Sequence, residues 1–275
     1  MVAYDGAELA SIESVIAATP ELLVISPDEA AQAILDSYSE QVDILKGTVI
    51  GTATENLCLA RIPQNAGQTK IPDCVTEGIP HGGDIQQLVT YAFADRAFDA
   101  DIALQNSGGV RVDVTPGDYT VADAYSLLPF ANTIYNLEMT GTEIKASLEE
   151  GLGNILDAGG SSGAYPYAAY LRWDVDMTAA AGSRFSNLEF REKGTDTWVP
   201  FDMNRTYTVA ANSFMASGGD GYATLKAVVA DGRGVDTYID YAQGFIDYIE
   251  QDLAGTIARV PVTDYSTQGF TPPAG

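Results

Sequence analysis

The chain reads as an α/β (α+β) protein: a single mixed-sheet domain with flanking helices, preceded by a connector helix. Three observations carry that reading. Segments with apolar residues at helical spacing alternate along the chain with short alternating or continuous apolar segments of strand character. Two Ser/Thr-x-x-Glu capping boxes, Ser26 to Glu29 and Thr140 to Glu143, mark helix starts far apart in the sequence. There is no internal repeat, and no apolar run approaches the roughly 18 to 20 residues needed to cross a bilayer.

Residues 1–27 read as the remnant of a preceding domain or linker, ending in the apolar run Leu22-Leu23-Val24-Ile25. Ser26 is placed to cap a helix, Pro27 suits its first turn, and Ala30, Ala33, Ile34, Tyr38, Val42 and Leu45 follow at helical spacing. This predicts a helix over 28–46 that joins two domains. The main domain is expected over 47–265. It begins with a strand, Thr48 to Thr52, and a loop framed by Cys58 and Cys74. A helix from Asp84 to Phe98 starts behind Gly82-Gly83, and a short buried strand, Ile102 to Leu104, leads into a loop at Asn106. Thr120 to Leu127 reads as a short helix with Asp123 in its first turn, and Thr133 to Met139 alternates as a strand. The second capping box opens a helix with Ile144, Leu148, Leu152 and Ile155 on one face. After a flexible loop, Gly159 to Gly163, strands are expected at Tyr167 to Asp176, Ser186 to Arg191 and Thr206 to Ala211. The last long helix is Asp236 to Leu253, packed through Tyr238, Tyr241, Phe245, Tyr248 and Ile249. The polar tail, 266–275, carries two prolines and is expected to be loose.

The 275 residues carry 38 acidic and 14 basic side chains, a formal net charge of −24. Such a surface repels nucleic-acid polymers and anionic membranes, but a few arginines concentrated in one cleft can still hold a small anion. The charge fits either a salt-adapted protein or a moderately acidic secreted bacterial one. Met1 to Asp5 lacks the basic and apolar segments of a signal peptide, so a section of a longer precursor is expected. Cys58 and Cys74 leave two readings open, a disulfide contributing roughly 3 kcal/mol or two buried thiols. The single histidine, His81, cannot build a dimetal phosphatase centre, and a structural role is expected for it. No catalytic or metal-ligating residue is assigned in this chain, and no cofactor is expected in it.

Three segments carry the chemistry: Gln105 to Arg111, Leu128 to Asn132, and Asn212 to Tyr222. Arg111 follows a Gly-Gly pair, where the backbone can approach a ligand and a guanidinium can fork onto phosphate oxygens. Asn106 is either a turn residue or a donor to a ribose hydroxyl or phosphate. Phe130 and Phe214 are candidates to clamp a flat base from both faces, against the alternative that both are core. Asp220, in Gly-Gly-Asp-Gly, can accept from ribose hydroxyls or shape its own turn. Asn132 and Gly163 are candidate contacts to the edge of the base. The 159–163 loop fits neither a dinucleotide fingerprint nor a P-loop.

In this order and at this spacing, the segments resemble the C-terminal, substrate-binding domain of the 5′-nucleotidase and UDP-sugar hydrolase family. Ser162-Gly163-Ala164-Tyr165-Pro166 and Met139-Thr140-Gly141 add to the resemblance, which covers nearly all of residues 28–265. It implies a base held between Phe130 and Phe214, a phosphate side at Arg111 and Asn106, a ribose contact at Asp220, and base-edge positions at Asn132 and Gly163. It also implies that hydrolysis belongs to a separate N-terminal metallophosphatase domain of the same precursor, holding two divalent metal ions and absent from this chain. The location implied is periplasmic or extracellular, with a 5′-monophosphate, cyclic nucleotide or UDP-sugar as substrate. A stand-alone, non-catalytic nucleotide- or nucleoside-binding module is the competing reading. One departure stands out: the family's additional phosphate-binding arginine has no counterpart just before His81-Gly82-Gly83-Asp84, and Arg61 or Lys70 is the candidate substitute.

Overall fold

The computed structural model describes residues 28–65 and 68–273. The chain divides into two units, one ending at Gly47 and one beginning at Thr48. In the first, helix α1 (Glu29–Lys46) is capped by Asp28, whose carboxylate accepts the Ala31 N–H at 2.9 Å. Asp28 thus supplies the cap predicted from Ser26, and Glu29 becomes the first helical residue. Ser26, Pro27 and the apolar run before them lie outside the described residues.

The second unit runs β1 (Val49–Ala53), α2 (Pro72–Glu77), α3 (Asp84–Arg96), β2 (Ile102–Asn106), β3 (Gly117–Thr120), α4 (Val121–Leu127), β4 (Thr133–Thr140), α5 (Gly141–Leu156), β5 (Pro166–Ala169), β6 (Leu171–Asp176), β7 (Phe185–Arg191), β8 (Trp198–Pro200), β9 (Thr206–Asn212), α6 (Ser213–Ala216), α7 (Ala223–Ala230), β10 (Gly234–Asp240), α8 (Tyr241–Gln251), β11 (Thr256–Ile257) and β12 (Thr267–Thr271). Its strands form three sheets, ordered β11-β1-β3, β10-β4-β9-β2-β5 and β12-β6-β7-β8.

The five-stranded sheet organises the core. Strand side chains alternate between faces, so Ile102 and Leu104 of β2 enter one apolar cluster while Ala103 enters the other. Val209 and Ala211 of β9 repeat the pattern against Ala210. The Ala103 and Ala210 face packs on α3 and α8 through Leu88, Phe93, Tyr241 and Phe245. The opposite face meets α5, α7 and the four-stranded sheet, with Leu148, Leu225, Trp173 and Phe185 filling the space. Burying a Leu or Phe side chain is worth about 1.5–3 kcal/mol, so the two clusters make the sheet the rigid reference for everything at its ends.

The capping box expected at Thr140 forms, and the structure adds one at Thr120. Thr120 and Asp123 cap α4, and Thr140 and Glu143 cap α5, each pair bonding reciprocally. Three expectations are corrected. The strand expected over Tyr167 to Asp176 is two strands in different sheets, parted at Tyr170, which turns left-handed (φ 63°) and sends the chain from one sheet to the next. The helix expected from Asp236 begins only at Tyr241. Residues 234–240 pair with β4 instead, Asp240 caps α8 by accepting from Ala242 and Gln243, and Tyr238 is exposed rather than packed. The tail expected to be loose contains β12, which runs parallel to β6 with Ser266 and Thr267 fully buried. Backbone pairing there outweighs the polar composition that suggested disorder.

Cys58 and Cys74 are joined in a disulfide, which resolves the open choice between bridge and thiols. Among the described residues, no helix is long and apolar enough to cross a membrane.

Candidate functional site

Strands β2 and β9 are adjacent and parallel, and both end in asparagine, Asn106 and Asn212. Strands β4 and β5 flank them antiparallel, with Ile134 opposite Asn212 and Pro166 opposite Asn106. Two strands therefore end, and two begin, along one side of the sheet. That topology collects four distant loops: 107–111 after β2, 213–221 after β9, 128–132 before β4 and 161–165 before β5. Between them lies a cavity of about 290 Å³, near the lower end of the roughly 300–1,000 Å³ common for small-molecule sites.

All seven residues singled out in the sequence line this cavity: Asn106, Arg111, Phe130 and Asn132, together with Gly163, Phe214 and Asp220. Of the two candidates for the extra arginine, Arg61 lines it as well. Lys70 does not; its backbone N–H donates to Asp113 at the foot of the loop. Ser161, absent from the sequence reading, also faces the cavity and accepts from Arg61 at 3.3 Å. Its position after a glycine pair in a polar loop carried no signal of its own.

The phenylalanines are not core residues. Phe130 is 46% exposed and Phe214 is 42% exposed. Their surroundings hold them in place. The Phe130 N–H donates to the Tyr241 hydroxyl at 2.7 Å, and the Arg111 guanidinium lies over the Phe130 ring, 5.7 Å from its centroid. Burial, opposed by that hydrogen bond, pushes the Tyr241 phenol up from its ordinary value. The Phe214 ring lies against Gly219: a Cβ there would sit 2.4 Å from the ring's Cζ.

The polar side is a connected network. Asn212 donates to both Gln105 Oε1 (2.6 Å) and Asn106 Oδ1 (2.9 Å), which fixes the Asn106 amide. Asn106 Nδ2 then donates to Asp220 Oδ2 at 2.8 Å. Asp220 itself is left-handed (φ 55°), a conformation Asp tolerates better than most residues. Ser213 Oγ accepts the Thr133 N–H and donates to Asn132 Oδ1, leaving the Asn132 amide nitrogen as its donor side. The Gly163 loop is pinned rather than flexible, since Ser107 Oγ donates to the carbonyls of Ser162 and Gly163. A Cβ on Gly108 would lie 3.0 Å from the Gly163 Cα, so the two loops meet as bare backbone.

The charge distribution is selective. The chain has nine arginines, and seven of them (Arg96, Arg172, Arg184, Arg191, Arg205, Arg233 and Arg259) form ion pairs with carboxylates. The other two, Arg61 and Arg111, have no carboxylate within 4 Å among the described residues, and both face this cavity. Burial, and then the nearby Arg111 charge, lower the pKa of Arg61, with Asp220 partly offsetting them. Two guanidiniums without an ion-pair partner, against the one carboxylate of Asp220, give the cavity a net positive lining that suits a small anion.

His81 stands elsewhere. Its Nδ1 is 2.9 Å from the Thr267 carbonyl and its ring meets Tyr265 edge-on. Nearby, the buried Asp84 accepts from the Cys58 N–H and the Tyr265 hydroxyl and pairs with Arg259. Burial raises its carboxyl above the ordinary range.

Comparison with known proteins bears on the family and the fold. A family model described as 5′-nucleotidase, C-terminal domain, matches residues 49–227. The chain is 33% identical over 231 residues to the NAD 5′-nucleotidase of Haemophilus influenzae, covering 82% of this chain and 36% of that protein. It is 30% identical over 237 residues to a probable 5′-nucleotidase of Treponema pallidum, covering 84% and 38%. Among solved structures, the Haemophilus influenzae NAD nucleotidase superposes with a TM-score of 0.74 at 30% identity, covering 96% of this chain and 46% of that one. A 5′-nucleotidase precursor from Thermus thermophilus superposes at 0.69 and 28% identity, covering 90% and 45%. The chain thus spans less than half the length of these relatives. On a match that takes in all four loops around the cavity, this chain belongs to the 5′-nucleotidase C-terminal domain family.

Proposed function

We propose that this chain is the substrate-binding part of a metal-dependent nucleotide hydrolase. It clamps the base between Phe130 and Phe214, holds the ribose through Asp220 and Asn106, and receives the phosphate at Arg111 and Arg61. Asn132 and Gly163 contact the edge of the base. The observation that carries this reading is the pairing of two half-exposed phenylalanines with two arginines that form no ion pair among the described residues, all lining one cavity. A ligand with a flat aromatic ring at one end and an anion at the other satisfies all four side chains at once; a nucleotide is such a ligand. Hydrolysis is assigned to a separate dimetal domain, consistent with relatives more than twice as long and with a single histidine here. The disulfide supports an oxidising location, periplasmic or extracellular.

Titration calorimetry with adenosine and AMP tests the reading. Phe130→Ala and Phe214→Ala are each expected to weaken adenosine binding by roughly 1–3 kcal/mol, the worth of a stacked base. Unchanged affinity in both variants rejects the clamp. The isolated chain is expected not to hydrolyse AMP with or without divalent metal; metal-dependent turnover in a clean preparation rejects the division of labour.

A further inference from the structure

Arg61 and Arg111 come from segments fifty residues apart in sequence, and like charges gain nothing by approaching. Their spacing has to be imposed by other groups. Arg61 sits in the disulfide-closed loop, where the preceding residue, Ala60, is held by side chains of β5 and α3. Its carbonyl accepts from the Tyr167 hydroxyl at 2.5 Å and its N–H donates to Gln86 Oε1 at 3.3 Å. From the other side one carboxylate grips the loop. Asp113 Oδ1 accepts the Leu59 N–H at 2.6 Å and the Thr69 hydroxyl at 2.7 Å, and Oδ2 accepts the Lys70 N–H at 2.8 Å. These donors bracket Arg61, one strand of the loop before it and the other after. Asp113 is also two residues beyond Arg111, and Val114 exchanges both backbone hydrogen bonds with Leu57 (2.9 and 3.1 Å). One four-residue stretch therefore carries the first guanidinium and clips the loop that carries the second.

We infer that Asp113 is a positioning residue that sets the spacing of Arg61 from Arg111, and so the phosphate affinity of the cavity, without touching ligand. The inference rests on the phosphate reading of the two arginines proposed above. It makes a prediction of sign. A carboxylate acting only through its charge would repel a phosphate, so removing it would tighten AMP binding. Removing a clip loosens the arginine pair and weakens it.

The test is calorimetry on the 275-residue chain with AMP and adenosine, for wild type, Arg61→Ala, Asp113→Ala and the double variant. Wild type is expected to prefer AMP. Asp113→Ala is expected to lower AMP affinity about tenfold, the scale of one charge-assisted contact, with adenosine affinity unchanged. In the Arg61→Ala background Asp113→Ala is expected to cost nothing further. Tighter AMP binding in Asp113→Ala, or a second full loss in the double variant, overturns the positioning role alone. Wild type binding AMP no better than adenosine overturns the phosphate reading beneath it. If Asp113→Ala does not fold, Thr69→Val removes one donor to the same carboxylate, and its retention of full AMP preference overturns the inference.

Discussion

At the scale of single residues, the cavity is assembled from side chains whose orientation is set by groups with no claim on a ligand. Asn212 fixes Asn106, Ser213 fixes Asn132, and Tyr241 holds the backbone of Phe130. Phe214 depends on the lack of a side chain at Gly219, whose backbone φ is not positive, so alanine is tolerated conformationally and acts only by pushing the ring. Gly219→Ala is expected to weaken adenosine binding by about 1 kcal/mol, part of one stacking face, with the urea midpoint nearly unchanged. Equal affinity in calorimetry would mean that the ring has another resting place. Asp220 was legible in the sequence as a turn or ribose-contact residue because it stands in Gly-Gly-Asp-Gly. Arg61 was legible only as one of two candidates, since nothing in the loop's composition says which cation folds inward.

At the scale of elements, helix starts were the most legible feature, because a capping box is a contact between residues three apart. Glu143 ties such a local device to a distant partner. Its carboxylate bonds Arg233 at 2.7 and 3.0 Å and accepts from the Thr140 N–H and hydroxyl. The Arg233 hydrogen bonds, followed by the cap bonds, hold its carboxyl down to about 2, against an ordinary value of 4.5. A depressed folded pKa contributes stability that is complete above the ordinary value and is lost as pH falls towards the folded one. Glu143→Gln is therefore expected to cost about 1 kcal/mol near neutral pH, the scale of a helix cap, and to lose less stability than wild type on acidification. Urea midpoints at about pH 5.5 and about pH 2.5 check this; parallel losses in the two proteins would reject it. Elements that depend on distant partners were harder to read. Residues 234–240 carry helical spacing yet pair with β4, because an open sheet edge offers their backbone partners that a helix extension would forgo. The break at Tyr170 was invisible for a related reason: which sheet a strand joins is decided by its neighbours, not by its alternation.

At the scale of the whole molecule, the disulfide closes the loop that brings Arg61 to the cavity. The bridge closes a 16-residue separation around the Arg61 loop, for which loop-entropy arguments give about 3 kcal/mol. The double variant Cys58→Ser, Cys74→Ser is expected to lose about that much in urea unfolding, while the same variant retaining wild-type stability would mean that Asp113 and Tyr167 alone hold the loop. Family membership was legible in the ordered set of short segments, each weak alone. Six of the seven predicted site residues that line the cavity come from the three segments, two from each, and Gly163 comes from the Ser162 to Pro166 segment.

The sequence by itself determined the α/β class, the capped helices, the buried run of β2 and the identity of the loops that line the cavity, since these rest on periodicity and contacts a few residues apart. The tertiary structure decided the rest: that β12 completes a sheet, that Tyr170 turns a corner, that Cys58 meets Cys74, and that Arg61 rather than Lys70 joins Arg111. Each of these depends on which backbone or charge arrives from fifty or more residues away, or, for the cysteines, on how a loop folds back. Local propensity holds no record of that.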